Sequence, residues 1–151
     1  MNPVDQFHVG IVVADFDASL AHLSELFGYS WCPEIALPTE VTLPSGTTVI
    51  DLGFVYSAEA PRVEVIRTIP GTLWTPAEGS GIHHLGYWSD DVAADAAALE
   101  ARGFAAEAAG NRPDGTPVWA YHRSPTGPRI EIVSRDIQPS LEGYWASAGT
   151  A

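Results

Sequence analysis

The chain writes one unit twice, and this repeat limits its fold more than any other feature. Residues 7–28, FHVGIVVADFDASLAHLSELFG, run alongside residues 83–103, HHLGYWSDDVAADAAALEARG. With His8 set against His84, Gly10 meets Gly86, Asp15 meets Asp91 and Leu23 meets Leu99. Gly28 meets Gly103 after a one-residue slip. Each segment begins as an apolar strand and then becomes helical. Leu20, Leu23 and Phe27 lie at i, i+3 and i+7 on one helix face, and Val92, Ala96 and Leu99 take that face in the second copy. Asp15 or Asp17 can cap the first helix and Asp90 or Asp91 the second, while Gly28 and Gly103 stand where left-handed C-terminal caps belong.

The two copies also close alike. Arg62-Val63-Glu64-Val65-Ile66 resembles Arg129-Ile130-Glu131-Ile132-Val133, both with strand character. Strand candidates at 40–43, 47–56, 105–108 and 116–123 fill the turn-rich stretches between. Each unit therefore reads β-α-β-β-β. The expected fold class is α+β: two βαβββ modules forming a curved mixed sheet around a central metal pocket. The expected layout is a single domain over 1–151, with module 1 at about 5–67, a Pro/Gly-rich linker at 68–81, module 2 at about 82–134 and a tail of unassigned structure at 135–151.

Side-chain parity says what the sheet is for. Strand side chains alternate between faces. Phe7, Val9, Ile11 and Val13 point one way, toward the helix, and His8 and Gly10 point the other. Val63 and Val65 oppose Glu64, Leu85 and Tyr87 oppose His84 and Gly86, and Ile130 and Ile132 oppose Glu131. The apolar partners, with Leu20, Leu23 and Leu99, are expected between helix and sheet. Four strands each place one polar residue on the face away from the helices, and a concave sheet would bring His8, Glu64, His84 and Glu131 together as metal ligands. Gly10 and Gly86 leave room beside the histidines. Two imidazoles and two carboxylates suit one divalent Ni, Co, Zn, Mn or Fe ion, and suit Ca poorly.

Neighbouring residues have several readings. His83 has the parity opposite to His84 and reads as helix-side or as a supporting residue behind the metal. His22 reads as solvated. Trp88, Trp119, Tyr121, His122 and Arg129 are the substrate-binding candidates. Trp88 shares the parity of His84, and Trp74 and Trp119 can line an apolar pocket or serve as plain core. His122 either reaches the pocket or sits at a loop end. Arg62 and Arg129 can meet a substrate anion or pair with surface acids.

The bulk properties exclude several classes. A formal charge of -12 gives no basic face for phosphates, so no nucleic-acid partner is expected. No apolar run approaches the ~20 residues of a membrane span, and Met1–Gln6 lacks the basic and apolar regions of a signal peptide. The only cysteine is Cys32, so no internal disulfide can form. A cytoplasmic protein that does not bind membranes is expected.

The stretches FHVGIVV, GIHHLGYWSDD, RVEVI and SPTGPRIEIV, within a match over roughly residues 6–134, resemble the vicinal oxygen chelate superfamily. That superfamily includes glyoxalase I, methylmalonyl-CoA epimerase, extradiol dioxygenases and bleomycin-resistance proteins. The ordered His-Glu-His-Glu set is similar to that of glyoxalase I. GIHHLGYWSDD looks like the epimerase version of its strand, although epimerases usually carry glutamine where Glu64 stands. The resemblance implies a divalent-metal-dependent isomerase, epimerase or lyase, expected as a homodimer. It would act on a small molecule with vicinal oxygens or a carbonyl. Proton abstraction beside that carbonyl would give a metal-stabilised enolate, with Glu131 or Glu64 as base. Two alternatives stand beside it. One is an extradiol-type dioxygenase holding Fe(II) through His8, His84 and Glu131, with Tyr121 or His122 as acid. The other is a non-catalytic drug-binding protein.

Overall fold

The computed structural model describes residues 1–148. Module 1 comprises β1 (Gln6–Val13), α1 (Phe16–Phe27), β2 (Ile35–Leu43), β3 (Gly46–Tyr56) and β4 (Arg62–Arg67). Module 2 repeats it as β5 (His84–Ser89), α2 (Val92–Glu100), β6 (Ala105–Asn111), β7 (Pro117–Arg123) and β8 (Arg129–Ser134). A 3-10 turn at Arg135–Ile137 leads into α3 (Gln138–Ala146).

Local chemistry sets the helix ends. The Asp15 carboxylate accepts from Ala18 N–H at 3.0 Å, and Asp91 accepts from Ala94 N–H at 2.9 Å, satisfying donors that a first turn leaves free. Gly28 ends α1 in the left-handed conformation with φ 76°. Gly103 also has positive φ, but it lies beyond α2, whose C-cap is Ala101.

The strands close into a mixed barrel in the order β1-β4-β3-β2-β6-β7-β8-β5. Each module is a four-stranded sheet whose first and last strands run parallel, and the two modules meet along antiparallel seams. One seam joins β1 to β5, with His8 opposite Gly86 and Gly10 opposite His84; the other joins β2 to β6 at Thr42 and Ala109. The order inside module 1, β1-β4-β3-β2, is matched by β5-β8-β7-β6, as two units related by a local twofold require.

Closure gives the inner face a second role that parity reasoning did not assign. Val12 and Ile66 share the parity of His8 and Glu64, yet they are buried with Val41, Ile50 and Ala108 in an apolar cluster. Each such aliphatic side chain stabilises the fold by roughly 1.5–3 kcal/mol. The barrel is thus core at one level and polar site at another. The expected helix-side layer is only partly covered. Val65, Leu99 and Ile132 are buried, whereas Phe7, Val9, Ile11, Leu20, Leu23, Val63, Leu85 and Ile130 keep intermediate exposure. On the module 1 side, Leu26 and Phe27 of α1 are 70% and 72% exposed. The expected tail carries a helix, with Trp145 of α3 packed in the main core; its last residues, 149–151, lie outside the described residues.

Candidate metal centre

The two histidines and two glutamates converge inside the barrel. One ligand atom from each of His8, Glu64, His84 and Glu131 lies within 4.8 Å of all the others, and all four residues are buried. His8 Nε2 stands 2.8 Å from His84 Nε2. Glu131 Oε2 is 3.1 Å from His8 Nε2 and 3.4 Å from His84 Nε2; Glu64 Oε2 is 3.6 Å and 3.2 Å from the same atoms. Ligands about 2.1 Å from a shared ion would be about 3.0 Å apart at octahedral right angles and about 3.4 Å apart in a tetrahedron. The observed separations bracket both values. Apart from these imidazole nitrogens, Glu64 Oε2 and Glu131 Oε2 have no polar partner among the described residues, despite their burial. Two buried carboxylates and two imidazole nitrogens aimed at one point are costly to desolvate unless a shared cation meets them, so the residues fit a divalent metal.

The register shows why each glycine is needed. A β-carbon on Gly10 would overlap the ring of His84, and one on Gly86 would overlap the ring of His8. Each glycine makes room for the histidine of the other module across the β1–β5 seam. Gly10 also pairs with Glu64, and Gly86 with Glu131, in the parallel ladders. The same short segment therefore sets two members of the cluster at once.

Protons in the cluster respond to this crowding. Burial opposes charge on His84, but hydrogen bonds and charge from Glu131 and Glu64 outweigh it and raise its pKa to about 9. Burial likewise opposes charge on Glu131, yet His8 and His84 hold its carboxyl far below the usual carboxylate range. Without a metal, the site is a proton-sharing cluster in which His84 is held protonated and Glu131 ionised.

His83 fixes which nitrogen of His84 faces the cluster. Burial first, and then the charge of Arg129, lower the His83 pKa to about 3, so the ring is neutral. Its Nε2 lies 2.8 Å from the Leu73 carbonyl, which can only accept, so Nε2 carries the proton. Its Nδ1 must then accept from His84 Nδ1, 3.0 Å away. His84 Nε2 is left to face His8, Glu64 and Glu131. Of the two roles left open by the sequence, the supporting one matches this geometry.

A cavity of about 100 Å³ adjoins Glu64 and Glu131. Tyr121 and Trp119 line it; Trp88, His122 and Arg129 do not. Trp88 stacks on Phe7 with ring centroids 3.8 Å apart, just past the irregularity in β1–β5 pairing. His122 is buried on the α2 side, 3.5 Å from Glu100. Arg129 is bonded to Glu107 and to the His83 carbonyl, beside a separate pocket that Leu73, His83 and Arg123 also line.

Sequence reasoning missed Tyr56. It pairs with Glu64 across β3 and β4 as Tyr121 pairs with Glu131 across β7 and β8. Burial, followed by the carboxylate charges, pushes both phenols well above their ordinary pKa. The signal was present: Tyr56 precedes PRVEVI and Tyr121 precedes PRIEIV, with two extra turn residues in the second copy. Linker residue Trp74 is 1% exposed and also lines the cavity, as do Ile137 before α3 and Leu141 within it.

Solved structures with the same fold include a Streptomyces coelicolor methylmalonyl-CoA epimerase variant in complex with 2-nitronate-propionyl-CoA. It is 18% identical with a TM-score of 0.57, over 86% of this chain and 93% of that one. The Mycobacterium tuberculosis methylmalonyl-CoA epimerase is 17% identical with a TM-score of 0.55, over 91% of each chain. A comparison with curated proteins finds no match. The family model described as "Glyoxalase/Bleomycin resistance protein/Dioxygenase superfamily" matches residues 7–121, and the chain belongs to that superfamily.

Proposed function

We propose that the protein is a divalent-metal-dependent isomerase, epimerase or lyase that removes a proton beside a carbonyl. The observation that carries this reading is the convergence of His8, Glu64, His84 and Glu131 on one buried point, with both Glu Oε2 atoms otherwise unpartnered. These four residues would hold the ion. When bound, a divalent metal polarises a carbonyl and stabilises the charge that develops on its oxygen.

The chain's own residues would do the rest. Glu131, or Glu64 as second choice, borders the cavity and can accept the proton from carbon once its carboxylate is free of other partners. Tyr56 and Tyr121 stay protonated and steady the two carboxylates. The apolar walls exclude water from the exchange. The cluster's four-ligand geometry favours this reading over a dioxygenase with three protein ligands, and over a binding protein without a complete set. A homodimer and a cytosolic setting belong to the same proposal.

The test is Glu131→Gln in metal-loaded protein, with solvent deuterium exchange into small α-hydroxy or α-acyl carbonyl compounds as readout. The variant should retain metal and lose exchange. If both Glu131→Gln and Glu64→Gln exchange at the wild-type rate, a glutamate base is ruled out.

A further inference from the structure

The fixed cations of this chain are few and already engaged. All seven basic residues are arginines; the sequence contains no lysine. Five of them, Arg67, Arg112, Arg123, Arg129 and Arg135, form ion pairs with carboxylates. Arg102 donates to the Ala98 carbonyl on the exposed end of α2. Arg62 shares the parity of Glu64, but its guanidinium lies 3.9 Å over the Trp145 ring and donates to the Ser57 and Ala58 carbonyls. No arginine lines the cavity beside the cluster.

The walls of that cavity are apolar instead. Phe54, Trp74 and Trp119 supply aromatic faces, and Val133, Ile137 and Leu141 close it from module 2 and α3. Besides the two cluster glutamates, its polar lining residues among the described residues are Tyr56 and Tyr121. α3 is anchored as a wall: the Tyr144 hydroxyl donates to the Pro33 carbonyl at 2.7 Å, and Trp145 is buried against the barrel. The volume of about 100 Å³ is smaller than an engineered cavity of about 150 Å³ that holds benzene.

Charge balance leads the same way. A divalent ion with two glutamates makes a neutral centre, so an additional anionic group on the substrate would find no counter-charge. Burying such a group unpaired is expensive. The surrounding surface, at a net charge of -12, repels anions as well.

We propose that, among molecules able to chelate the metal, the site selects small uncharged ones that present a short apolar substituent to the walls. Carboxylated, phosphorylated and coenzyme-A-linked substrates are selected against. This deepens the metal-enzyme reading above and rests on it.

The test uses the full chain loaded with Co(II). 1-Hydroxy-2-butanone and 1-hydroxy-2-pentanone, α-hydroxy ketones that chelate without losing a proton, are titrated beside the carboxylated analogue of each and beside malonyl-CoA, with the cobalt absorption spectrum and calorimetry as readouts. The uncharged chelators should bind about tenfold or more tighter than their carboxylated analogues, and malonyl-CoA should leave the spectrum unchanged. Leu141→Arg should narrow or reverse the preference by placing a cation in the wall. The wild-type ratio decides the matter even if that variant folds poorly. Equal or tighter binding of the carboxylated analogues or of malonyl-CoA overturns the inference while leaving the metal centre intact. Failure to take up cobalt at all overturns the metal reading and this inference together.

Discussion

Substituting Gly86 with alanine puts the β1–β5 seam to a direct test. The new methyl group meets Cε1, Nδ1 and Nε2 of the His8 ring at overlapping distance. Ordinary carbon contacts are about 3.5–4.0 Å, so the ring has to retreat by roughly 1.5 Å. Metal ligands tolerate displacements of only about 0.2 Å. His8 Nε2, 2.8 Å from His84 Nε2 in the native site, is therefore expected to leave the ligand cluster. Losing a supporting hydrogen bond behind a ligand typically costs about 10–100-fold in metal affinity, and displacing the ligand should cost at least that much. The overpacked fold should also lose about 1–3 kcal/mol. Competition against a chromophoric chelator measures the first effect, and thermal unfolding with and without metal measures the second. Gly143→Ala is the control, because a β-carbon there meets nothing and Gly143 lies within α3. A folded Gly86→Ala protein with metal affinity within about twofold of wild type would refute the account of the seam.

Two further outcomes are expected. His83→Leu removes the acceptor for His84 Nδ1–H and should weaken metal binding by about 10–100-fold, whereas His83→Asn, which can still accept, should recover part of it; equal affinities in both variants would exclude the tautomer role. Acid should weaken metal binding, because the ion must displace a proton from His84 at any pH below about 9. The thermal gain on adding metal should therefore grow from pH 6 to pH 9, and a flat profile would contradict the proton-sharing cluster. The sign for the metal-free protein is opposite. A His84 pKa raised to about 9 from the ordinary imidazole value of 6.5 contributes stability that is complete below 6.5 and is lost as pH rises through 9.

The cluster was legible because parity and repeat are local properties. His8 with Gly10, and His84 with Gly86, lie two residues apart on one strand face, and Glu64 and Glu131 sit between aliphatic residues that can only pack on the other face. What the sequence hid depends on distant partners. Arg129 has the right parity for a substrate contact, but Glu107, 22 residues away on β6, engages it. Trp88 also has the right parity, but beside the pairing irregularity it stacks on Phe7. His122 follows Tyr121, so when Tyr121 faces the cavity His122 must face α2. Barrel closure could not be read either, since it depends on β2 meeting β6 at a single ladder position. For the same reason Val12 and Ile66 were not foreseen as inner core. The linker gave no periodic signal, yet Trp74 folds back into the cavity and the Leu73 carbonyl orients His83. α3 was obscured by Pro139 and Gly143 and by its weak apolar periodicity, although Trp145 anchors it.

On the proposed reading, four side chains from four strands hold one metal ion inside the barrel. Crystals of the metal-loaded protein, measured at the absorption edge of the added ion, test it most directly. The account predicts one anomalous peak per chain, about 2.0–2.2 Å from His8 Nε2, His84 Nε2, Glu64 Oε2 and Glu131 Oε2. A fully loaded protein whose peak lies away from these four atoms would contradict it.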